Sequence, residues 1–159
     1  MKAGTQTPAD RTTALIQRIF RVNGRLLHAG DRLVAPLGLT SARWQVLGEI
    51  VDIHRPKPVA AIARDMGVSR QNVQRIVNDL VAQGLVILTA NPLHKRAYFV
   101  TMTNNGRDAY ARSMAIQRPW VATLATGVDE AQIDDALSLL GILLDRLAAD
   151  DSQPGDSYS

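Results

Sequence analysis

The chain contains no cysteine in its 159 residues. Disulfides, thiolate catalysis and cysteine-ligated zinc are therefore excluded. Histidine is almost as scarce. His28, His54 and His94 fall on separate segments, and no H-x-x-x-H pair offers a metal site. Aromatic residues make up only 4%, while Ala and Leu are plentiful, a composition that favours helices over a sandwich or barrel. No run approaches 18 uninterrupted apolar residues, so no membrane span is expected. The start, MKAGTQTPADRT, lacks the apolar segment of a secretory signal, and a reducing cytoplasm is the expected compartment. No G-x-S-x-G, P-loop or G-x-G-x-x-G occurs, and Asp134–Asp135 reads as part of a solvated face. Enzymatic chemistry has no candidate residues, and neither a metal nor a cofactor is expected.

One further shortage is local. Residues 1–107 hold 15 Lys and Arg against 6 Asp and Glu, whereas residues 108–159 hold 3 against 9. The formal net charge of +3 hides this division. A basic part joined to an acidic part suggests a polyanionic partner. The apolar fraction of 46% is enough to bury a core.

Apolar residues at Leu15, Ile19, Val22, Leu26, Ala29 and Leu33 advance by steps of four and three, the seam of a long first helix from about Thr12 to Val34. Pro36 and Gly38 end it. Thr40 or Ser41 can cap a second helix, Ala42 to about Ile53, with Trp44, Val46, Leu47 and Ile50 inward. Arg55-Pro56-Lys57-Pro58 reads as a break. A short helix over Val59–Met66, closed by Gly67, precedes one capped by Ser69 and ended by Gly84. Leu85–Thr89 and Ala97–Thr101 read as the strands of a hairpin with a basic connection. A fifth helix opens near Thr103, and Pro119 is expected to kink or divide it. The last begins near Asp129 and carries a second seam at Ile133, Leu137, Leu140, Leu144 and Leu147.

The stretch SRQNVQRIVNDL carries the strongest functional signal. On a helical wheel Val73, Ile76, Val77 and Leu80 share one side. Gln71, Gln74, Arg75 and Asn78 share the other, with Arg70 and Asn72 on its flanks. Arg suits guanine O6/N7 and phosphate, while Gln and Asn suit adenine N6/N7. A recognition helix in a major groove uses its N-terminal residues in this way, and the Ser69 hydroxyl with the free amides of that end suits a phosphate. His94, Lys95 and Arg96 on the hairpin would reach the flanking backbone or minor groove.

With these residues in place, LTSARWQVLGEI (Leu39–Ile50), VAAIARDMGVSRQNVQRIVNDLVAQGLV (Val59–Val86) and NPLHKRAYFVTMTNNG (Asn91–Gly106) resemble the MarR family of transcriptional regulators. The resemblance runs from about Leu15 to Leu147 and includes the T-x-x-G opening of the fifth helix (Thr103, Gly106). It implies a mainly α fold: a winged helix–turn–helix with a two-stranded β wing, whose N- and C-terminal helices form an intertwined dimerisation region. It implies a homodimer on a pseudo-palindromic DNA operator, usually a repressor relieved by a small molecule or an oxidant. The implied division is a flexible arm (1–10), a dimerisation helix (11–35), the DNA-binding lobe (36–102), C-terminal dimerisation helices (103–149) and a disordered tail (150–159).

The expected DNA contacts are Ser69, Arg70, Gln71, Asn72, Gln74, Arg75, His94, Lys95 and Arg96. One position departs from the family pattern: where the wing commonly has Asp before its basic residues, this chain has His94. With no thiol to oxidise, any inducer should be a non-covalent ligand. His28, Arg43 and Trp44, beside the cleft that the family uses, would suit a small aromatic carboxylate or phenol. Taken singly, Trp44 reads as a core anchor and Arg43 as a surface charge or phosphate contact. The competing reading of the whole chain is a winged-helix module for protein–protein contact, with no operator of its own.

Overall fold

A computed structural model describes residues 7–92 and 96–151. Helix α1 (Pro8–Val34) is followed by a 3₁₀ turn (Ala35–Leu37), α2 (Ser41–Glu49), a two-residue strand β1 (Lys57–Pro58), α3 (Val59–Met66) and α4 (Arg70–Ala82). Strands β2 (Val86–Thr89) and β3 (Phe99–Met102) then lead to α5 (Asn104–Leu124) and α6 (Glu130–Asp151).

The first helix starts earlier than its apolar seam suggests. Thr7 accepts from the Asp10 amide at 3.2 Å, and Asp10 accepts from the Thr7 amide at 2.9 Å. This is a capping box with Pro8 in the first helical position. The Thr7 hydroxyl, which donates to Asp10 Oδ2 at 2.7 Å, and then the Thr7 amide hold the Asp10 carboxyl below its ordinary range. Residues 8–10, expected in a flexible arm, are therefore helical. Residues 1–6, and 152–159 of the expected tail, lie outside the described residues.

Thr40, not Ser41, caps α2, accepting from the Arg43 amide at 3.3 Å. Ser41 turns toward α1: its amide donates to Asp31 Oδ1 and its hydroxyl to the Leu27 carbonyl, each at 2.7 Å. A side chain at Gly30 would collide with Ser41 Oγ. Helix α2 ends at Glu49, four residues before the expected limit.

The sheet contains the expected two-stranded hairpin, β2 paired with β3, and one strand more. It has three antiparallel strands in the order β1-β3-β2. The stretch expected to be a plain break pairs instead, Lys57 with Val100 and Pro58 with Phe99. An edge strand of two residues tolerates proline because it needs few ladder donors. That brevity also leaves no alternating pattern to read.

The core lies in the lobe between the end of α1 and the start of α5. Val34, Val46, Leu47, Ile62, Val73, Val77, Leu80, Val86 and Val100 are essentially inaccessible to solvent. Each such Val, Ile or Leu stabilises the lobe by roughly 1.5–3 kcal/mol. The four buried positions of α4 are Val73, Ile76, Val77 and Leu80, the spacing of one helical face.

The T-x-x-G opening of α5 has a physical basis. The Thr103 amide donates to the Leu85 carbonyl at 3.0 Å. The Thr103 hydroxyl donates to the Gly84 carbonyl at 2.8 Å and accepts from the Gly106 amide at 3.1 Å. A Cβ at Gly106 would collide with the Leu85 carbonyl oxygen, a backbone atom with little freedom to retreat. Gly106→Ala is therefore expected to destabilise the protein by about 1–3 kcal/mol, although alanine is the better helix former. The urea midpoint should fall, and an unchanged midpoint would contradict this packing.

Lys57 ties β1 to two helices, with its Nζ 2.7 Å from Glu49 of α2 and 2.8 Å from Asp65 of α3. Hydrogen bonding to Lys57 lowers the Asp65 pKa below its ordinary value of 3.8, and the bonds to Asp65 and then Glu49 raise that of Lys57 above 10.5. The Asp65 contribution is thus present above pH 4 and is lost as pH falls through its lowered folded value. The Lys57 contribution is complete below its ordinary value and is lost only as pH rises through the raised one. Lys57→Met should lower stability at pH 7 by about 1 kcal/mol or less. The gap to wild type should narrow between pH 5 and pH 3, and a gap constant over that window would refute the linkage.

Two compact units divide the chain, residues 1–119 and 120–159. Helix α5 continues through Pro119, which does not divide it. In α6 the Asp129 carboxylate accepts from the Ala131 amide at 3.2 Å, and Gln132 accepts from the Asp129 amide at 3.3 Å, so the expected capping residues do cap. The apolar positions of α6 are mostly exposed, Leu137 at 63% and Leu144 at 67%. On α1, Phe20, Val22 and Leu26 are exposed too. No described helix is long and apolar enough to cross a membrane.

Candidate nucleic-acid interface

Helices α3 and α4 are joined by a tight turn. Gly67 takes φ +64°, and the Gly67 and Val68 amides return to the Arg64 and Ala63 carbonyls at 3.1 and 3.0 Å. This left-handed closure leaves Ser69 to cap α4, its hydroxyl accepting from the Asn72 amide at 3.2 Å. The apolar face of α4 is locked in the core, so the opposite face must point outward. Arg70, Gln71, Asn72, Arg75 and Asn78 are exposed and Gln74 is half-buried.

The polar side chains of this face bond to one another. Arg75 Nη2 donates to Asn72 Oδ1 at 3.2 Å, and Gln74 Nε2 donates to Asn78 Oδ1 at 2.9 Å. Exposed bonds of this kind contribute little net stability, and base edges can replace them.

Across a cleft of about 120 Å³, Arg70 and Gln74 face Arg96 and Tyr98, with Pro58 and Leu88 in the wall. Among the described residues neither Arg70 nor Arg96 has a carboxylate within ion-pair distance. The start of α4 and the base of the wing therefore make one basic surface. Tyr98 was missed in the sequence. It stands two residues after Arg96, immediately before β3. His94 and Lys95 lie outside the described residues.

The three candidate ligand contacts lie on α1 and α2. His28 is exposed on α1. Trp44 is partly buried against the core, close to Gly30. Arg43 is ion-paired with Asp79 of α4 at 3.1 Å. No group of three or more metal-ligating side chains occurs among the described residues.

A model of the MarR family matches residues 37–97, from the end of the 3₁₀ turn to just short of β3. Rv2011c of Mycobacterium tuberculosis, a protein of uncharacterised function, is 40% identical over 99 residues, 62% of this chain and 68% of that protein. The chain belongs to the MarR family. It is also similar to the transcriptional activatory protein BadR of Rhodopseudomonas palustris, 30% identical over 115 residues, 69% of this chain and 66% of BadR. In fold it resembles CouR of Rhodococcus jostii RHA1 bound to p-coumaroyl-CoA, with a TM-score of 0.74 at 21% identity, over 88% of this chain and 96% of that one. The transcriptional repressor CouR on a 23-mer DNA duplex gives a TM-score of 0.71 at 23% identity, over 88% and 99%. A winged helix–turn–helix fold accounts for α3, α4 and the β2–β3 hairpin together.

Proposed function

We propose that this regulator binds a pseudo-palindromic DNA operator as a homodimer, acts as a repressor, and is released by a non-covalent small molecule. The observation that carries the DNA-binding part is the exposed Arg, Gln and Asn face of α4, continuous with Arg70, Arg96 and Tyr98 at the cleft. In this reading Gln71, Asn72, Gln74 and Arg75 read base edges, Ser69 and Arg70 hold phosphates, and His94, Lys95 and Arg96 contact the flanking groove. Residues 36–102 form the DNA-binding lobe. Residues 11–35 and 103–149 supply the dimer surface, which would cover the exposed apolar positions of α1 and α6.

Selection of duplexes from a random pool tests this directly. The recovered sequences should contain two related half-sites about one helical turn apart. Recovery without two-fold symmetry would contradict a dimer on its operator, and recovery of no enriched sequence would favour a protein–protein module.

For induction, His28, Arg43 and Trp44 remain the proposed ligand contacts. CouR's p-coumaroyl-CoA carries an aromatic acyl group, the class of ligand expected here. An anionic ligand at Arg43 would have to displace Asp79, which supplies a route to α4. A hundredfold loss of operator affinity needs about 2.7 kcal/mol of coupling, and reciprocity requires DNA to weaken ligand binding by the same factor. Calorimetry with a set of aromatic acids and phenols, with and without operator, should find such a pair. Mild peroxide should leave operator binding unchanged, because no thiol is present. One observation favours activation over repression: BadR, similar in sequence, is an activatory protein. A reporter placed behind the selected operator, with and without the regulator, decides the sign.

A further inference from the structure

Helix α4 carries a single carboxylate, Asp79, one turn beyond Arg75. Residues four apart lie side by side on a helix, so Asp79 is placed to attract the Arg75 guanidinium. The side chains do not pair that way. Asp79 is held at 3.1 Å by Arg43 from α2, and Arg75 instead donates to Asn72, toward the N-terminal end of α4. Arg43 is 24% exposed and Asp79 42%, so the pair sits at the edge of the lobe rather than in bulk solvent.

Arg43 is also in an unfavourable place for its own helix. It stands in the first turn of α2, where the helix dipole disfavours a cation. The Asp31 carboxylate, accepting from the Ser41 amide at 2.7 Å, supplies the negative charge that this end requires. Helix formation therefore does not explain an arginine at this position, whereas its ion pair with α4 does.

We propose that Arg43 is a positioning residue for the DNA-reading face: by holding Asp79 it keeps the Arg75 guanidinium free to read a base. This rests on the proposed operator binding. An unheld Asp79 would compete with DNA for Arg75, and would leave an unmasked carboxylate one turn beyond it on the same helix.

The test compares the wild type, Arg43→Ala, Asp79→Asn and the double variant. It uses fluorescence anisotropy on the selected duplex, on a scrambled duplex and on duplexes substituted at the position that Arg75 reads. Thermal melting confirms that each variant is folded. Arg43→Ala should weaken binding to the selected duplex by roughly tenfold and flatten the preference at the Arg75 position. Asp79→Asn added to Arg43→Ala should restore that preference. If Asp79→Asn alone loses as much as Arg43→Ala and the double variant is not restored, the pair is only a strut and the proposal is overturned. If Arg43→Ala lowers binding to all duplexes alike and reduces the salt slope by about one, Arg43 is a phosphate contact and the proposal is again overturned. A wild type that binds selected and scrambled duplexes equally would instead overturn the operator reading itself.

Discussion

Substituting Leu137 and Leu144 of α6 together by glutamate is expected to leave the protein monomeric or unfolded and to remove operator binding at working concentrations. Both leucines are largely exposed in the single chain, so the change takes nothing from the chain's own core. In a dimer they would be covered, and four buried, unpaired carboxylates, two from each chain, would each cost several kcal/mol. Specific sites are bound at about 10⁻⁸–10⁻¹¹ M, and a single lobe would retain roughly half of that free energy. The loss would then be about ten-thousandfold or more. Light scattering at micromolar concentration should return about twice 17.3 kDa for the wild type. A double variant with unchanged mass and unchanged DNA affinity would rule out α6 as a dimer surface.

Gln71→Ala and Arg75→Ala should change which bases are preferred, whereas Arg96→Ala should weaken binding to all sequences. A lost bidentate contact to a base costs about 1–3 kcal/mol of discrimination, roughly five- to 150-fold, at one operator position. Arg96 lies at the wing side of the cleft, where in the proposed complex it would meet the flanking backbone or minor groove. Its loss should reduce the salt slope by about one with little effect on major-groove preference. Affinities measured against single-position operator variants at two salt concentrations separate the two behaviours. Equal losses on selected and scrambled DNA for Gln71→Ala and Arg75→Ala alike would show that α4 does not read.

The lobe was legible in the sequence where one residue's role depended on near neighbours. Helix α4 could be read from four apolar positions, a serine cap and a closing glycine, because all act within one helix. The hairpin could be read from two β-branched runs around a polar connection. The start of α1 was also written locally, in Thr7-Pro8-Ala9-Asp10, but the apolar seam drew attention downstream. Strand β1 was hidden because two residues cannot alternate, one of them is proline and another proline precedes them. The partner of Arg43 could not be read at all. Asp79 is 36 residues away, and only the packing of α2 against α4 brings them together. The seams of α1 and α6 show the opposite case. Their spacing was plain, yet spacing alone says that a face must be covered and not by what.

The most direct measurement is the affinity of the wild-type protein for its selected duplex and for a scrambled duplex of equal length, both at 150 mM salt. A regulator that reads bases through α4 should prefer the selected duplex by roughly a thousandfold or more. Equal affinity for the two, falling together as salt rises, would mean that the basic surface holds only phosphates, and would contradict the assignment of α4 as a reading helix.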